Sequence, residues 1–365
     1  MVPIARRNLL ADKVRLLIAV GGVAFAVLLI LVVGSLYRGF EKEAGSFVQG
    51  VPGDIWVMER DTSDIFHSFS VVPEDTIGEV TSVTGVDRVI PLYGKRVKVA
   101  YGGGDADTYV MAFGVEPGTE VLPGVAAPSR GEIVLDNVFA RKSGLDAGDT
   151  VDARGRALTV SQVGDISNVG LSQFSLISGE DARDLIAVPG SVSYLLVAVD
   201  PGADPGAVAE GIEQRLPGLR AETKDDFAAA NRNEIVTFFL PIVSVLLIVA
   251  FLVGTAVVGL TIYTATIERT REYGVMKALG ASGGYLLRIV IAQSITIGVA
   301  GFVVGVPLTV AVNWLAKQQV PEFVNVLRWQ DVAAVLGVSL VMAVLAAFIP
   351  IRRVARIDPA AVFRA

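Results

Sequence analysis

Hydrophobic and polar positions are unevenly distributed along this chain. Four runs contain no Asp, Glu, Lys or Arg: Leu16 to Tyr37, Val236 to Ile267, Ile289 to Ala316, and Val332 to Ile351. Each reaches the roughly 20 residues that a helix needs to cross about 30 Å of hydrocarbon. Core helices of soluble proteins seldom go so far without a charge, so four transmembrane helices are expected, at residues 14–37, 235–267, 285–316 and 332–351. Between the first two lies an insert, residues 38–234, long enough to bury a core of its own. Only a short loop, 317–331, separates the last two. Residues 1–13 mix Val2, Ile4, Leu9 and Leu10 with basic positions at helical spacing, as in an amphipathic helix lying on an inner leaflet.

The insert alternates in a different way. "DIWVMER" and "DRVIPLYGKRVKVAYGGGDADTYVMAFGV" have strand character, with "YGGGDADT" as the turn of a hairpin. "PEDTIGEVTSVTGV" and "SGEDARDLIAV" have helical character, the latter opened by Ser178 and Asp181 in the spacing of a capping box. "DPGADPGAVAEGIEQRLPGL" is a turn followed by a helix stopped at Pro217, and "ETKDDFAAANRNEIV" leads helically into the second span. "RGEIVLDNVFARKSGLDAGDTVDARGRALTVSQVGDI" spells a strand, a helix ending near Gly144, a turn and two strands, expected to form a small β-rich lobe. The insert is therefore α+β, and the fold class is an α-helical membrane protein carrying an α+β extracytoplasmic domain between helices 1 and 2.

Charge orients the arrangement. The N-terminus, the loop after the second span and the C-terminal residues 352–365 hold 12 basic and 4 acidic residues, net +8. The insert holds 17 basic and 31 acidic, net −14. Positive flanks stay in the cytoplasm, so both termini are expected inside and the insert outside. A mean hydropathy of +0.58 agrees with a multi-pass chain. Arg6-Arg7 is better explained by this inward charge than by a twin-arginine signal, and the first apolar run exceeds a signal peptide's usual length, so it is expected to stay as an anchor.

Several chemistries are absent. Cysteine does not occur, which removes disulfides and thiolate metal sites. His67 is the only histidine, and nothing near it resembles a nucleophile elbow or a partnered base. "DADT", Asp105 to Thr108, lacks the later glycine and glutamate of a calcium loop. Neither GxGxxG nor GxxxxGK[ST] occurs, so no phosphate loop is present and no enzymatic activity is expected. The spans carry no buried carboxylate or lysine for ion coupling, so energy must come from another subunit.

Such a motor must grip a cytoplasmic feature, and the segment from 268 to 284 suits that task. Tyr273, Met276 and Lys277 fall on one helical face, Val275 and Leu279 on another, with Gly274 and Gly280 for close approach and termination. "EYGVMKALGAS" resembles the coupling-helix signature of MacB/FtsX-type ABC permeases, which Gly274, Lys277, Ala278, Leu279 and Gly280 match. "PIRRVARIDPAAVFRA" resembles that family's ending through Pro350, Pro359 and Ala361, with Phe363 where leucine is commoner. "GEIVLDNVFARKSGLDAGDTV" resembles its extracytoplasmic core at Gly131, Glu132, Ala140, Gly144, Leu145, Gly148 and Asp149. Gln293 departs from the glutamate many members carry.

The resemblance implies a permease dimer, a homodimer in the simplest case, with each copy resting on one of two ATPase subunits that hold ATP and magnesium. No cofactor is expected on this chain itself, nor any nucleic-acid partner. Arg271, Glu272, Tyr273, Gly274, Val275, Met276, Lys277, Ala278, Leu279 and Gly280 are the expected coupling residues. Tyr273, Val275, Met276 and Leu279 should enter an ATPase groove, while Arg271 and Lys277 meet acidic residues at its rim. The layout is similar to compact exporters of haem and glycolipid. Arg38, Glu41 and Glu43, at the exit of the first span, are candidate substrate contacts, with haem, a lipid or a drug-like molecule as cargo. The alternative is a non-transporting complex that signals mechanically across the membrane.

Overall fold

In the computed structural model, the described residues are 12–65, 70–169, 172–320 and 322–355. The expected helix over residues 1–13, His67 and the last ten residues fall almost wholly outside them. Four long helices are each apolar enough to cross a bilayer: α1 (Lys13–Gly50), α6 (Lys224–Glu268), α8 (Gly283–Gln319) and α9 (Trp329–Ala355). All four outrun their apolar stretches, two of them by more than ten residues at one end: α1 continues past Tyr37 to Gly50, and α6 begins at Lys224, well before Val236. The extensions are helical for an amphipathic reason. Ala44, Phe47 and Val48 on α1, and Phe227, Ala228 and Asn231 on α6, recur at spacings of three and four and are buried.

Contacts divide the chain into two units. The helical unit comprises residues up to Arg38, Phe239–Gln319 and those from Asn325 on; the inserted domain comprises Gly39–Phe238 with Val320–Val324. The loop expected over 317–331 is therefore shared, because Glu322 pairs with Lys142 at 2.7 Å while Val326 N donates to Ser35 O at 2.9 Å.

Within the helical unit, Ala19, Val23, Val27 and Leu31 form the inward stripe of α1, in one cluster with Val258, Ile262, Ile289, Ile297 and Ala347. Small residues let the helices approach closely. A Cβ added at Gly305 of α8 would stand 2.8 Å from Val27 Cβ and 2.9 Å from Ala24 O, and one at Gly301 would collide with Val23. The opposite arrangement marks α6, whose most apolar window is only 11% buried. Leu246, Val249, Leu252 and Val253 stand half exposed there, which suits hydrocarbon better than water.

The inserted domain holds a 10-stranded sheet and two short two-stranded ones. The large sheet runs β10 (Asn168–Val169), β11 (Ser172–Ile177), β7 (Glu132–Asp136), β9 (Arg156–Gly164), β8 (Thr150–Ala153), β3 (Val86–Tyr101), β13 (Tyr194–Val199), β1 (Ile55–Glu59), β14 (Leu219–Thr223). β4 (Gly104–Phe113) pairs with both β3 and β11, closing six strands into a ring. The segment from Arg130 to Ile166 is thus no separate lobe. Its strands β7, β8 and β9 are members of that ring, held by the parallel β7–β9 pairing. The hairpin turn is also tighter than expected. β3 and β4 pair up to Tyr101 and Gly104, so the "GDADT" residues belong to the strand.

Alternation along the central strands feeds two cores. Ile55, Val57, Leu195 and Val197 enter one, packed under the helices α2 (Thr76–Thr81) and α5 (Pro205–Arg215) through Val80, Val208 and Ile212. Trp56, Met58, Tyr194 and Leu196 enter the other, with Phe47, Val51 and Phe227. Local side-chain caps open two of the short helices. Asp136 caps α3 (Asn137–Ser143) and Gly144 ends it at φ 66. Ser178 Oγ accepts from Asp181 N at 3.0 Å to open α4 (Gly179–Leu185), but the reciprocal half of the capping box is missing. The Asp181 carboxylate instead accepts from Gly131 N at 2.7 Å and pairs with Arg156.

Candidate functional site

The segment between the second and third spans is a short helix, α7 (Thr270–Ala278), separated from α6 by Arg269 alone. At its start Thr270 Oγ1 donates to Ile267 O, a carbonyl at the end of α6, at 2.7 Å, and Arg269 supplies no side-chain cap. At the other end Gly280 N donates to Lys277 O at 3.0 Å and Ala281 N to Met276 O at 2.9 Å, a Schellman arrangement that requires the φ of +94 found at Gly280. Glu272 lies in the first turn and Lys277 in the last, each favourable to the helix dipole. Ser282 Oγ then accepts from Tyr285 N at 3.2 Å to begin α8.

The two faces of α7 differ sharply. Tyr273 is 1% exposed, in the same apolar cluster as Leu286 and Ile289, with Met276 packed against it. Its hydroxyl meets the side chain of Gln293 on α8, and burial pushes its phenol pKa up. Gly274 is buried as well. Arg271, Glu272, Val275, Ala278 and Leu279 are exposed, Leu279 to 83% and Val275 to 38%.

This corrects the expected docking set. Tyr273 cannot enter a groove on another protein, because its ring already fills the interior of the helical unit. Gly274 is likewise turned into the chain rather than outward. The apolar side chains that α7 and its C-cap leave exposed are Val275 and Leu279, beside the exposed Arg271 and Glu272.

A charged joint sits beside α7. Arg15 donates from both terminal nitrogens to Glu268, Nη1 to Oε2 and Nη2 to Oε1, each at 2.7 Å. Asp12 lies 3.5 Å from the same guanidinium, and Arg269 lies 3.4 Å from Glu272. The sequence reading missed this pair. Its signal was present: Arg15 immediately precedes the first apolar run and Glu268 immediately follows the second. The same rule finds Arg38 and Asp331, which flank the first and fourth runs and pair at 2.8 Å.

Arg38 is therefore committed to Asp331 rather than free to ring a substrate mouth. Arg38 belongs to the helical unit, whereas Glu41 and Glu43 belong to the inserted domain. Both glutamates are part-exposed, and Glu43 accepts from Ser46 Oγ at 3.2 Å. Among the described residues no cluster of three or more His, Cys, Asp or Glu is poised for a metal. A cleft of about 600 Å³ in the inserted domain is bordered by Arg88, Arg130, Arg183, Glu116 and Glu180.

Comparison with known proteins explains this layout. Residues 16–215 match the MacB-like periplasmic core domain, and residues 244–359 match the FtsX-like permease C-terminal domain. The chain belongs to the MacB/FtsX-type family of ABC transporter permeases. Uncharacterised ABC transporter permeases of Mycobacterium bovis and Mycobacterium tuberculosis are similar to it at 23% identity, over 98% of either chain. An uncharacterised ABC transporter permease of Methanocaldococcus jannaschii is 25% identical over 61% of this chain and 58% of its own length. The macrolide export ATP-binding/permease protein MacB of a Shewanella species is 24% identical over 75% of this chain, which spans 46% of that protein. Among solved structures, the extracellular domain of the transporter YknZ from Gram-positive bacteria covers 47% of this chain at 14% identity and a TM-score of 0.34.

The family places the inserted α/β domain between the first and second of four membrane helices, as the structure does. Both matches are to permease-type parts of ABC transporters.

Proposed function

We propose that this permease exports an amphipathic or hydrophobic molecule, of the haem, lipid or drug-like kind, out of a bacterial cytoplasm. A separate ABC ATPase drives it, with two permease copies resting on two ATPase copies that carry the ATP and magnesium. Both termini and α7 lie in the cytoplasm, and the inserted domain lies outside the inner membrane. The observation that carries this reading is the exposed apolar pair Val275 and Leu279 on a short capped helix. That pair lies within flanks of net +8, the charge expected of cytoplasmic segments. An 83% exposed leucine beside an exposed valine gives a partner apolar area to cover.

Two features support the amphipathic cargo class. The spans hold no free carboxylate or lysine for an ion gradient, and the long exposed apolar face of α6 offers itself to lipid or to a second copy. Glu41 and Glu43 are the candidate contacts for the cargo's polar head, with Arg38 reduced to a supporting role by its ion pair. The test is to purify the permease from its native membrane with its ATPase and identify the small molecules that travel with it. ATP-dependent accumulation of such a molecule in inverted vesicles supports export. A complex that binds and hydrolyses ATP normally, yet carries and moves no cargo, points instead to mechanical signalling to an outer partner.

A further inference from the structure

Resting on that reading of α7, the geometry points to a further role for two residues outside the docking face. We propose that Arg15 and Glu268 are positioning residues that carry displacement of α7 into α1. The reasoning begins with connectivity. α7 is joined to α6 through Arg269 and to α8 through residues 279–282, so the polypeptide itself links those three helices. α1 has no such link at this end, because the whole inserted domain lies between it and α6 in the chain.

Arg15 supplies the missing link. Its guanidinium grips both carboxylate oxygens of Glu268, the last residue of α6, at 2.7 Å each. A planar fork on two oxygens fixes direction as well as distance, which a single lysine contact cannot do. The pair is too open to be explained by stability: its side chains are 27% and 60% exposed, and ion pairs at such sites contribute little. Its placement is what distinguishes it. Glu268 abuts the one-residue break at Arg269, where φ −98 and ψ 13 leave helical geometry and allow a pivot. Tyr273, seated against Gln293, fixes the far side of the same joint to α8. A small cleft of about 60 Å³, lined by Asp12, Arg15, Glu268, Arg269, Tyr273 and Gln293, marks where α1, α6, α7 and α8 converge.

The experiment uses the full-length permease assembled with its ATPase in lipid nanodiscs. It reads two quantities, the affinity of the ATPase for the permease and the ATP turnover of the complex relative to the ATPase alone. The set is Arg15→Gln, Glu268→Gln, the double variant and Arg15→Lys. Each neutralising single variant should keep its docking affinity within about twofold while the permease-dependent change in turnover falls roughly threefold or more. The double variant should be no worse than either single, and Arg15→Lys should recover part of the loss. Unchanged turnover in both singles overturns the proposal, as does an additive double variant, because the two side chains would then act separately. Loss of docking together with turnover also overturns it, since that is the signature of a damaged fold. Leu279→Ala, measured alongside, isolates the underlying reading. If it leaves docking intact, α7 is not the docking helix, whatever the paired variants do.

Discussion

Truncating Leu279 to alanine tests the docking surface with little risk to the permease's own fold. The side chain is 83% exposed in the permease alone, so almost none of its apolar area stabilises this chain. Leucine to alanine removes three carbons, worth roughly 2.4 kcal/mol on full burial at about 0.8 kcal/mol each. Scaled by its exposed share, covering Leu279 with a partner contributes about 2 kcal/mol, roughly thirtyfold in affinity. Val275, 38% exposed, loses two carbons on truncation and contributes about 0.6 kcal/mol by the same reckoning, close to threefold. Tyr273→Ala would instead empty the interior of the helical unit, at about 3 to 5 kcal/mol of folding stability. Binding of the ATPase to permease in nanodiscs, by interferometry, together with a thermal unfolding scan of each variant, separates these effects. Leu279→Ala should weaken binding about thirtyfold with an unchanged unfolding midpoint. Binding within twofold of the parent protein would refute the assignment of Leu279 to a covered interface.

Three further outcomes are expected. Because the chain has no cysteine, single cysteines at the exposed positions Asp105 and Ser282 report sidedness: an impermeant maleimide should label the first and not the second in intact cells, and the reverse would invert the topology. Rigorously purified permease should show no ATP turnover, and appreciable hydrolysis would contradict the assignment of the motor to a partner. Burial pushes the Asp136 carboxyl up to about 6, against the pull of its bonds from Val138 N and Ile166 N. A raised acid favours the folded state below the ordinary value near 4 and loses that contribution as pH rises through about 6, up to roughly 3 kcal/mol. Unfolding of the full chain followed at the buried Trp56 should therefore lose stability between pH 4 and 6, and Asp136→Asn should flatten that slope. An identical slope in both proteins would mean that Asp136 is not its source.

The legible parts of this molecule were those written locally. Uninterrupted apolar runs mark the spans because a bilayer leaves no other place for them. The stretch from Glu132 to Gly164 was legible element by element because Asp136, Gly144 and the turns around them act on their own neighbours. The arrangement of those elements was not legible. Pairing of β4 with β11, and of β7 with β9, joins segments through parallel ladders that no short-range pattern announces. The site divided in the same way. Periodicity separated the faces of α7 but could not say which one the bundle had already claimed, so Tyr273 was assigned outward. Arg38 looked available because its partner Asp331 lies far along the chain.

The close seam between α1 and α8 has a consequence in time as well as space. Ribosomal synthesis completes α1, then the entire inserted domain and α6, before Gly301 and Gly305 exist. Through that interval Val23, Ala24 and Val27 must wait in contact with lipid. They can do so without penalty, since their side chains are as apolar as the acyl chains around them. When α8 arrives it brings a groove made of missing atoms, and the seam closes by displacing lipid rather than by breaking any earlier contact. The order in which the helices are made therefore leaves no polar side chain of this seam waiting in lipid.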